Sequence, residues 1–346
     1  MLLNKLRMIL LIIFWWRFLL LKADDDVCVG YKKTIKIVRN VTECTQVSTN
    51  NFRCPNLEAA LDLYPFLIDT CVELGSKENL TAVYVFHDSR KVKITSSTVE
   101  STIECQDMNS GISFIGGAGI QMTKLSFSKC GGQHESYYRH TNYVGQNQTL
   151  YKMNLTAVLN FEGITDIKMD HIIIQVFRGF AIVMTDCIGH TQFSDLTLDT
   201  NKLAPCVFEN FKNTTFYFGG GIMLRHISDD VLDGATFDIY GKSPINSINN
   251  IKAINFTTIR PDDISVFTDL KPFGCGGGIS MYFYRSTRNT INLSPKSVAQ
   301  NLGLYGGGFY LYHGEDSTNN IIKLTKLKNI DQNIAYYGGG LSLIHI

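Results

Sequence analysis

A glycine triplet that recurs four times in the last third of the sequence limits the possible folds more than any other feature. Each triplet is followed by an apolar residue, and successive triplets are separated by 57, 30 and 32 residues. The triplets are Gly219-Gly220-Gly221, Gly276-Gly277-Gly278, Gly306-Gly307-Gly308 and Gly338-Gly339-Gly340. The first gap is about twice the others, which indicates a self-similar period of about 30 residues. Such a period is typical of a solenoid, in which each repeat stacks on the one before it.

The repeats have the pattern of β-strands rather than of helices. Apolar residues alternate with polar ones at Ile291 and Leu293, and again at Ile322 and Leu324, which is a period of two. Three glycines inside a helix would cost about 1 kcal/mol each, whereas Asn and Gly suit tight corners. Coils stacked about 4.8 Å apart would place like residues above like. The sequence therefore predicts an all-β parallel β-helix.

The order of an apolar residue, two further residues, Asn and a glycine run resembles a known family pattern. It is found at Val298 to Asn301 and at Ile330 to Asn333, before the last two triplets. It is similar to the paired repeats of chlamydial polymorphic outer-membrane proteins and to animal ectodomains with right-handed β-helix domains. The bacterial motif prefers Phe first and Ala as the third small residue, so this sequence departs from it. The resemblance implies a right-handed, pectin-lyase-like β-helix over residues 54–346, with the clearest repeats at about 200–346.

Residues 1–23 have the composition of a secretory signal peptide. Lys5 and Arg7 precede an almost wholly apolar run from Met8 to Leu21, and Ala23 comes before three aspartates. A basic start, a short apolar stretch and a small residue are typical of a cleaved signal. An uncleaved signal anchor is the alternative. Membrane contact is expected only through such an anchor or through a segment outside this sequence.

Sequons and cysteines also predict export to a secreted or cell-surface location. The Asn-X-Ser/Thr sequons are at Asn40, Asn79, Asn147, Asn154, Asn213, Asn255 and Asn292, and each is a candidate glycosylation site. The nine cysteines are Cys28, Cys44, Cys54, Cys71, Cys105, Cys130, Cys187, Cys206 and Cys275. Because none forms a C-x-x-C pair, they indicate disulfides rather than a zinc site. The first four are expected to staple the amino-terminal region, which includes a cap region at 24–53.

A short helix is predicted after Cys54. Leu57, Ala60 and Leu61 share one helical face, Asn56 is positioned to cap the first turn, and Pro65 discourages continuation. The first coil of a β-helix would expose unpaired strand edges, so a helix that covers it is physically expected. The parallel with pectate-lyase-like β-helices, which commonly begin with such a cap, implies the same.

A polar, tyrosine-rich stretch at about 131–155 interrupts the repeat and is predicted to be a loop or hairpin excursion. It carries His134, His140 and two sequons. Loops on a rigid scaffold often carry the binding residues of a protein. The alternative is a glycosylated surface excursion without a ligand.

Four aspartates are the weak catalytic candidates. The segments at 165–170 and 194–199 look alike, and that alignment would stack Asp166 on Asp195 and Asp170 on Asp199, about 5 Å apart. Carboxylates at that distance can hydrolyse glycosides or bind calcium. The alternative, which we favour, is that aspartates at strand ends cap turns through their side chains.

The function predicted from these features is recognition or adhesion by a non-catalytic extracellular β-helix. A carbohydrate-active hydrolase or lyase is the alternative; Asp229-Asp230 and Gly189-His190-Thr191 only faintly resemble polygalacturonase motifs, and the other motifs are missing. A net charge of +1 and a pI of about 7.6 do not favour nucleic acid as a partner. The expected partners are glycans or other surface proteins, without a cofactor or metal.

The last strand-like segment ends the sequence at Ile346 without a polar cap. Solenoids protect their terminal repeats. We therefore expect that the sequence is a fragment or shortened product of a longer surface protein, or that its last coil is covered by self-association.

Overall fold

Over the residues that the structure describes, the protein is all-β apart from one short helix. The computed structural model describes residues 27–63, 67–97, 99–140, 149–208, 215–240, 247–254, 273–314, 317–325 and 329–345. The helix is α1 (Leu57–Asp62). The strands are β1 Lys33–Ile37, β2 Thr45–Ser48, β3 Asn51–Cys54, β4 Ile68–Leu74, β5 Lys77–Leu80, β6 Val83–Ser96, β7 Ser101–Cys105, β8 Gly111–Ser128, β9 Gly132–His140, β10 Thr149–Glu162, β11 Thr165–Arg178, β12 Phe180–Thr185, β13 Ile188–Lys202, β14 Ala204–Phe208, β15 Phe216–Phe218, β16 Gly220–His226, β17 Leu232–Asp233, β18 Thr236–Tyr240, β19 Ser247–Asn249, β20 Ile279–Phe283, β21 Ser286–Thr287, β22 Thr290–Ser294, β23 Ser297–Ala299, β24 Leu302–Tyr305, β25 Phe309–His313, β26 Ile321–Leu324, β27 Ile334–Tyr337 and β28 Leu341–His345.

Most strands pair in parallel with the strands of the preceding and following coils, in three ladders. The first ladder contains the starts of β6 and β8, the end of β10, then β12, β16, β20, β25 and β28. The second contains β1, β4, the later part of β6, the middle of β8, the starts of β11 and β13, then β18, β22 and β26. The third contains β5, β7, the ends of β8, β11 and β13, then β19 and β23. The predicted parallel, solenoid-like β architecture is confirmed.

The core consists of apolar side chains stacked from coil to coil. In the first ladder the rings of Phe86, Phe114 and Phe161 follow one another with centroids 5.4 and 5.7 Å apart. The register continues this row with Met184 and Leu224. All five side chains are buried. Stacking like on like in this way buries a continuous apolar interior, although each coil alone has too little surface to form a core.

The glycine triplets lie where the third ladder turns into the first. In the last three triplets the first glycine has a φ of +62°, +57° and +64°, which favours glycine. The second glycine is needed for space. A Cβ on Gly307 would lie 2.4 Å from the carbonyl oxygen of Ile334 and 2.8 Å from that of Gly339. Neighbouring coils therefore approach there through their backbones.

Asparagines hold the preceding corner. The Asn301 side chain accepts a hydrogen bond from the Ile251 N–H (3.0 Å) and donates one to the Ile248 carbonyl (2.8 Å). Its own N–H donates to Asn333 Oδ1 at 3.0 Å. Asn201 occupies the equivalent position in an earlier coil and was not recognised in the sequence, because residues 202–218 separate it from its glycine triplet. These amides satisfy backbone groups that the corner would otherwise leave buried and unpaired.

The helix α1 lies beside β1, β3 and β5. The Asn56 side chain accepts a hydrogen bond from the Ala59 N–H (2.8 Å), which is the expected N-cap. Glu78 from β5 accepts another from the Leu57 N–H at 3.0 Å. Leu57, Ala60 and Leu61 are buried. Pro65 and the predicted signal at 1–23 lie outside the described residues.

Three disulfides join the first six cysteines. They are Cys28–Cys71, Cys44–Cys54 and Cys105–Cys130. The first two confirm that the first four cysteines staple the amino-terminal region, and the third links consecutive coils. Cys187, Cys206 and Cys275 are buried, and the described part of the chain places none of them in a disulfide. Three disulfides indicate an oxidising compartment.

An antiparallel sheet lies against the outside of the first ladder. This flap sheet consists of β9, residues 149–157 of β10, β14 and β15, in that order. The excursion predicted at 131–155 is thus a hairpin, of which residues 141–148 lie outside the described ranges. Beneath the flap sheet, apolar side chains of both layers form a second core that includes Met153, Leu155, Phe180, Val183, Phe208, Phe218 and Met223. The sequence did not predict that β14 and β15 extend this hairpin.

Candidate functional site

The outward surface of the second ladder carries a row of polar side chains, one from each coil. In register they are Lys93, Gln121, Lys168, Gln192, Asp238, Asn292 and Lys323. They alternate with buried residues such as Ile120 and Ile167, since successive side chains of a strand point to opposite faces. Adjacent coils lie about 4.8 Å apart, so the row, which we name the polar row, offers regularly spaced hydrogen-bonding groups along the stack.

A groove of about 320 Å³ opens on this polar row. Its polar lining comes from three successive coils and consists of Gln121, Asp166, Lys168, His190 and Gln192. Lys168 and His190 are exposed, and the two glutamines are half-buried. The volume is at the lower end of the range for small-ligand pockets. We name this feature the ladder groove; it is open to solvent and rich in donors and acceptors.

Hydrogen bonds fix several side chains of the groove. His190 Nε2 lies 2.9 Å from Asp238 Oδ2, and Asn292 donates to the other Asp238 oxygen at 2.6 Å. The Gln192 amide donates to the Tyr240 hydroxyl. Groups held in this way lose little conformational entropy when a ligand binds. Asn292, a predicted glycosylation site, has its amide engaged in this network.

Asp166 lines the groove but serves the backbone of the neighbouring coil. Its Oδ1 accepts a hydrogen bond from the His190 N–H at 2.7 Å. A register irregularity at this point brings the two coils close. Gly189 has a φ of +73°, which favours glycine, and a Cβ there would lie 2.4 Å from the same carboxylate oxygen. This contact agrees with the interpretation of Asp166 as a turn-capping residue.

The predicted stacking of Asp166 on Asp195 and of Asp170 on Asp199 is wrong. The strands β11 and β13 pair with an offset of 24 residues, which aligns Asp170 with Ser194. The segment 165–170 belongs to the second ladder, whereas the segment 194–199 leaves the second ladder at Ser194 and continues into the third. Both have the same alternation, so sequence likeness alone gave the wrong register.

The remaining aspartates do not align with one another. The Ser194 hydroxyl donates to Asp170. Asp199 aligns with Gln175 and accepts a hydrogen bond from Asn250 at 2.8 Å. Asp195 lies opposite His171, and both have positive φ angles, of +51° and +58°. The four candidates therefore form no carboxylate pair by register.

A second polar cluster, absent from the sequence-based candidates, lies beneath the flap sheet. Arg225 lies near the end of the first-ladder strand β16 and is almost fully buried. Its guanidinium donates to the hydroxyls of Thr185 (2.8 Å) and Ser136 (2.7 Å). Ser136 in turn donates to Glu162 at 3.5 Å. The ring of Phe273 is 5.7 Å from the Arg225 Cζ. These contacts join the flap sheet to three coils of the first ladder.

Asp186 extends this cluster towards solvent. Its Oδ1 lies 3.1 Å from His226 Nδ1 and accepts hydrogen bonds from the N–H groups of Ile227 (2.7 Å) and Ser228 (3.0 Å). The His226 side chain is buried, whereas that of Asp186 is 27% exposed. This carboxylate therefore holds the turn that follows β16.

The environments of the two carboxyls displace their pKa values in opposite directions. Burial raises the pKa of Glu162, and the nearby Arg225 offsets this only in part. Burial also acts to raise the pKa of Asp186, but the hydrogen bonds from His226 and the backbone outweigh it and lower the value. Burial lowers the pKa of the Arg225 guanidinium to about 10. At neutral pH Arg225 stays charged, and of the two carboxyls Glu162 is the more readily protonated.

The sequence carries little signal for this cluster. Arg225 and Ser136 are 89 residues apart, and no local motif links them. The one available indication is that Arg225 follows an apolar strand after a glycine triplet, where later coils have Tyr282 and Tyr312. A charged residue at a position otherwise occupied by aromatic residues indicates a buried polar contact.

Comparison with known proteins does not assign the chain to a family. No family model matches the chain, and neither curated proteins nor solved structures give a match. Over the described ranges, no group of three or more His, Cys, Asp or Glu residues is placed to hold a metal ion. None of the helices within those ranges has the length and apolar character needed to cross a membrane.

Proposed function

We propose that this chain is an extracellular, right-handed β-helix module that recognises a ligand through the ladder groove without chemically changing it. The observation that carries the proposal is the groove itself, which is open, polar and lined by three consecutive coils. Its candidate aspartate is engaged with the neighbouring backbone. The geometry thus favours binding over catalysis at this place.

The groove fits an extended, hydroxyl-rich ligand such as a glycan chain. The polar row offers mainly amide and ammonium groups at the spacing of the coils, so a polymer lying along the stack would meet one group per coil. Amides both donate and accept hydrogen bonds, which suits hydroxyl groups. Other surface proteins are the second partner class expected from the sequence.

An extracellular location is part of this proposal. The disulfides, the predicted signal and the seven sequons all agree with it. Among the sequons, Asn40, Asn79 and Asn154 have exposed side chains, while Asn147, Asn213 and Asn255 lie outside the described residues. We further propose that α1 covers the edge of the first coil, since it packs beside β1, β3 and β5.

A glycan array probed with the secreted protein tests the proposed recognition. We expect binding to at least one extended glycan, weakened at least tenfold by Gln121→Ala combined with Gln192→Ala. The matched control is Gln300→Ala with Gln332→Ala, an exposed amide pair bonded at 2.8 Å in a third-ladder corner. Binding unaffected by the groove variant, or the absence of any glycan ligand, would contradict the proposal.

Hydrolysis remains a second candidate because of Glu162 and Asp186. Two carboxyls with displaced pKa values are the usual arrangement of a general acid and its partner. Glu162 would be the acid and Asp186 the ionised partner. Against this, Asp186 already accepts two backbone hydrogen bonds and Arg225 fills the space between the layers.

A reducing-sugar assay on polysaccharides separates the two candidates. Recognition without turnover predicts no sugar release by the unmodified protein. If release is seen, Glu162→Gln should abolish it under the hydrolase hypothesis, whereas Asp195→Asn should leave it unchanged. Release that was lost in Asp195→Asn would instead restore the third-ladder aspartate as a catalytic candidate.

A further inference from the structure

Three lysines from three successive coils lie together at the edge of the ladder groove. Lys93 and Lys168 occupy the polar row on either side of Gln121, so their backbones are about 10 Å apart, two coil spacings. Lys124 follows Gln121 by three residues, just where a φ of +58° turns the chain into the third ladder. We name Lys93, Lys124 and Lys168 the lysine cluster.

No carboxylate of the described residues pairs with the lysine cluster. Several surface lysines elsewhere are neutralised, among them Lys36 by Glu73 and both Lys77 and Lys129 by Glu104. Asp166 and Asp170 flank Lys168 on its own strand, but Asp166 accepts a hydrogen bond from the His190 N–H and Asp170 accepts one from the Ser194 hydroxyl. The cluster therefore concentrates positive charge on a chain whose net charge is only +1.

The three ammonium groups act on one another. Burial lowers the pKa of Lys93, and the charges of Lys124 and Lys168 lower it further. The Lys93 Nζ is held in place by the Val27 carbonyl at 2.6 Å. Like charges that repel one another in a fixed arrangement gain most from an anion bound between them.

We propose that the lysine cluster binds the sulfate esters of a sulfated glycan that lies in the ladder groove. The inference rests on the proposed function and names its ligand class, since Lys168 belongs to both features. The cluster contains lysines and no arginine. Lysine is a compact point charge with three rotatable donors, so three lysines can approach the oxygens of one tetrahedral sulfate group from several sides.

Binding of heparin, of chemically desulfated heparin and of polygalacturonate tests the proposal. The variant is Lys93→Gln, Lys124→Gln and Lys168→Gln together. The matched control is Lys36→Gln, Lys77→Gln and Lys129→Gln, which removes the same charge from paired lysines. We expect heparin affinity to fall at least tenfold in the cluster variant and less than threefold in the control. The double variant Lys124→Gln with Lys168→Gln, both exposed, gives the same test without the partly buried Lys93.

The outcomes separate this inference from the function on which it rests. Desulfated heparin bound as tightly as heparin, or equal losses in cluster and control variants, would overturn the sulfate assignment and leave glycan recognition standing. If polygalacturonate bound with the same affinity as heparin, the cluster would recognise carboxylates, and the sulfate assignment would again be overturned. If no glycan bound, in these assays or on the array, the recognition proposal itself would fail.

Discussion

The early coils and the late coils of this solenoid fasten their neighbours by different means. In residues 67–140 the links are made by side chains: the buried Cys105–Cys130 disulfide and the surface ion pairs that Glu104 makes with Lys77 and Lys129. In residues 273–345 the links are buried and involve the backbone, through asparagine amides and glycine triplets. Only the late coils repeat visibly in sequence, because a close contact between backbones requires glycine, whereas the early coils are linked by side chains that differ from one corner to the next.

The largest effect is expected when a late glycine gains a side chain. Gly307→Val would place a Cβ 2.4 Å from the Ile334 carbonyl oxygen, and adjacent coils would have to separate. We expect the free energy of unfolding, measured by chemical denaturation, to fall by about 3 kcal/mol. The control, from a coil between the two regions, is Gly163→Val, where φ is +62° but the added Cβ would meet no atom within 4 Å; only the conformational cost of about 1–2 kcal/mol should appear. Equal losses would mean that the triplet is not a close contact between coils.

In the early coils, the covalent link should matter almost as much. Replacing Cys105 and Cys130 by serine opens a loop of 25 residues. We expect the free energy of unfolding to fall by about 2–3 kcal/mol. Because coils contact mainly their neighbours, hydrogen exchange should quicken in β7 and β8 and stay unchanged in β25. Uniform acceleration along the chain would show that the two regions unfold as one unit.

The late asparagine corner should contribute somewhat less. Asn301→Ala removes the acceptor of the Ile251 N–H and leaves a buried donor unpaired, so we expect a loss of about 2 kcal/mol. Asn109→Ala in the early coils removes only an exposed contact with Arg178 and should change stability by less than about 0.5 kcal/mol. Exchange at the Ile251 amide measures the local effect directly. Protection that persisted in Asn301→Ala would rule out the capping role.

The contrast between the regions also explains what could be predicted from sequence. The parallel stack, Asn301 and Asn333 followed from the repeat, because identical corners need identical residues. Asn201 could not be recognised from the repeat, because an insertion separates it from Gly219. Part of this insertion forms the flap sheet. The repeat thus predicts the coil but not what is inserted into it.

The candidate sites were predicted less well than the fold. The predicted register of the aspartates was wrong because strands of the second and third ladders have the same alternation of apolar and polar residues. Periodicity alone cannot distinguish the two ladders. The cluster around Arg225 includes Ser136, which lies on a hairpin formed by a distant part of the sequence. The polar row is visible only once the coils are in register, as single lysines and glutamines carry no signal by themselves.

The smallest expected effect concerns the ion pairs of the early coils. The Lys129 and Lys77 ammonium groups lower the pKa of Glu104 from 4.5 to about 2. Since the folded pKa lies below the unfolded value, this stabilisation is present above about pH 4.5 and is lost as the pH falls towards 2. All three groups reach solvent, so the contribution is small. In Glu104→Gln the melting temperature at pH 7 should fall slightly, and its decline between pH 4.5 and 2 should be shallower than in the unmodified protein. An NMR titration of the Glu104 carboxyl that gave an ordinary pKa would show that the two lysines do not fasten this corner, leaving the disulfide as its main link.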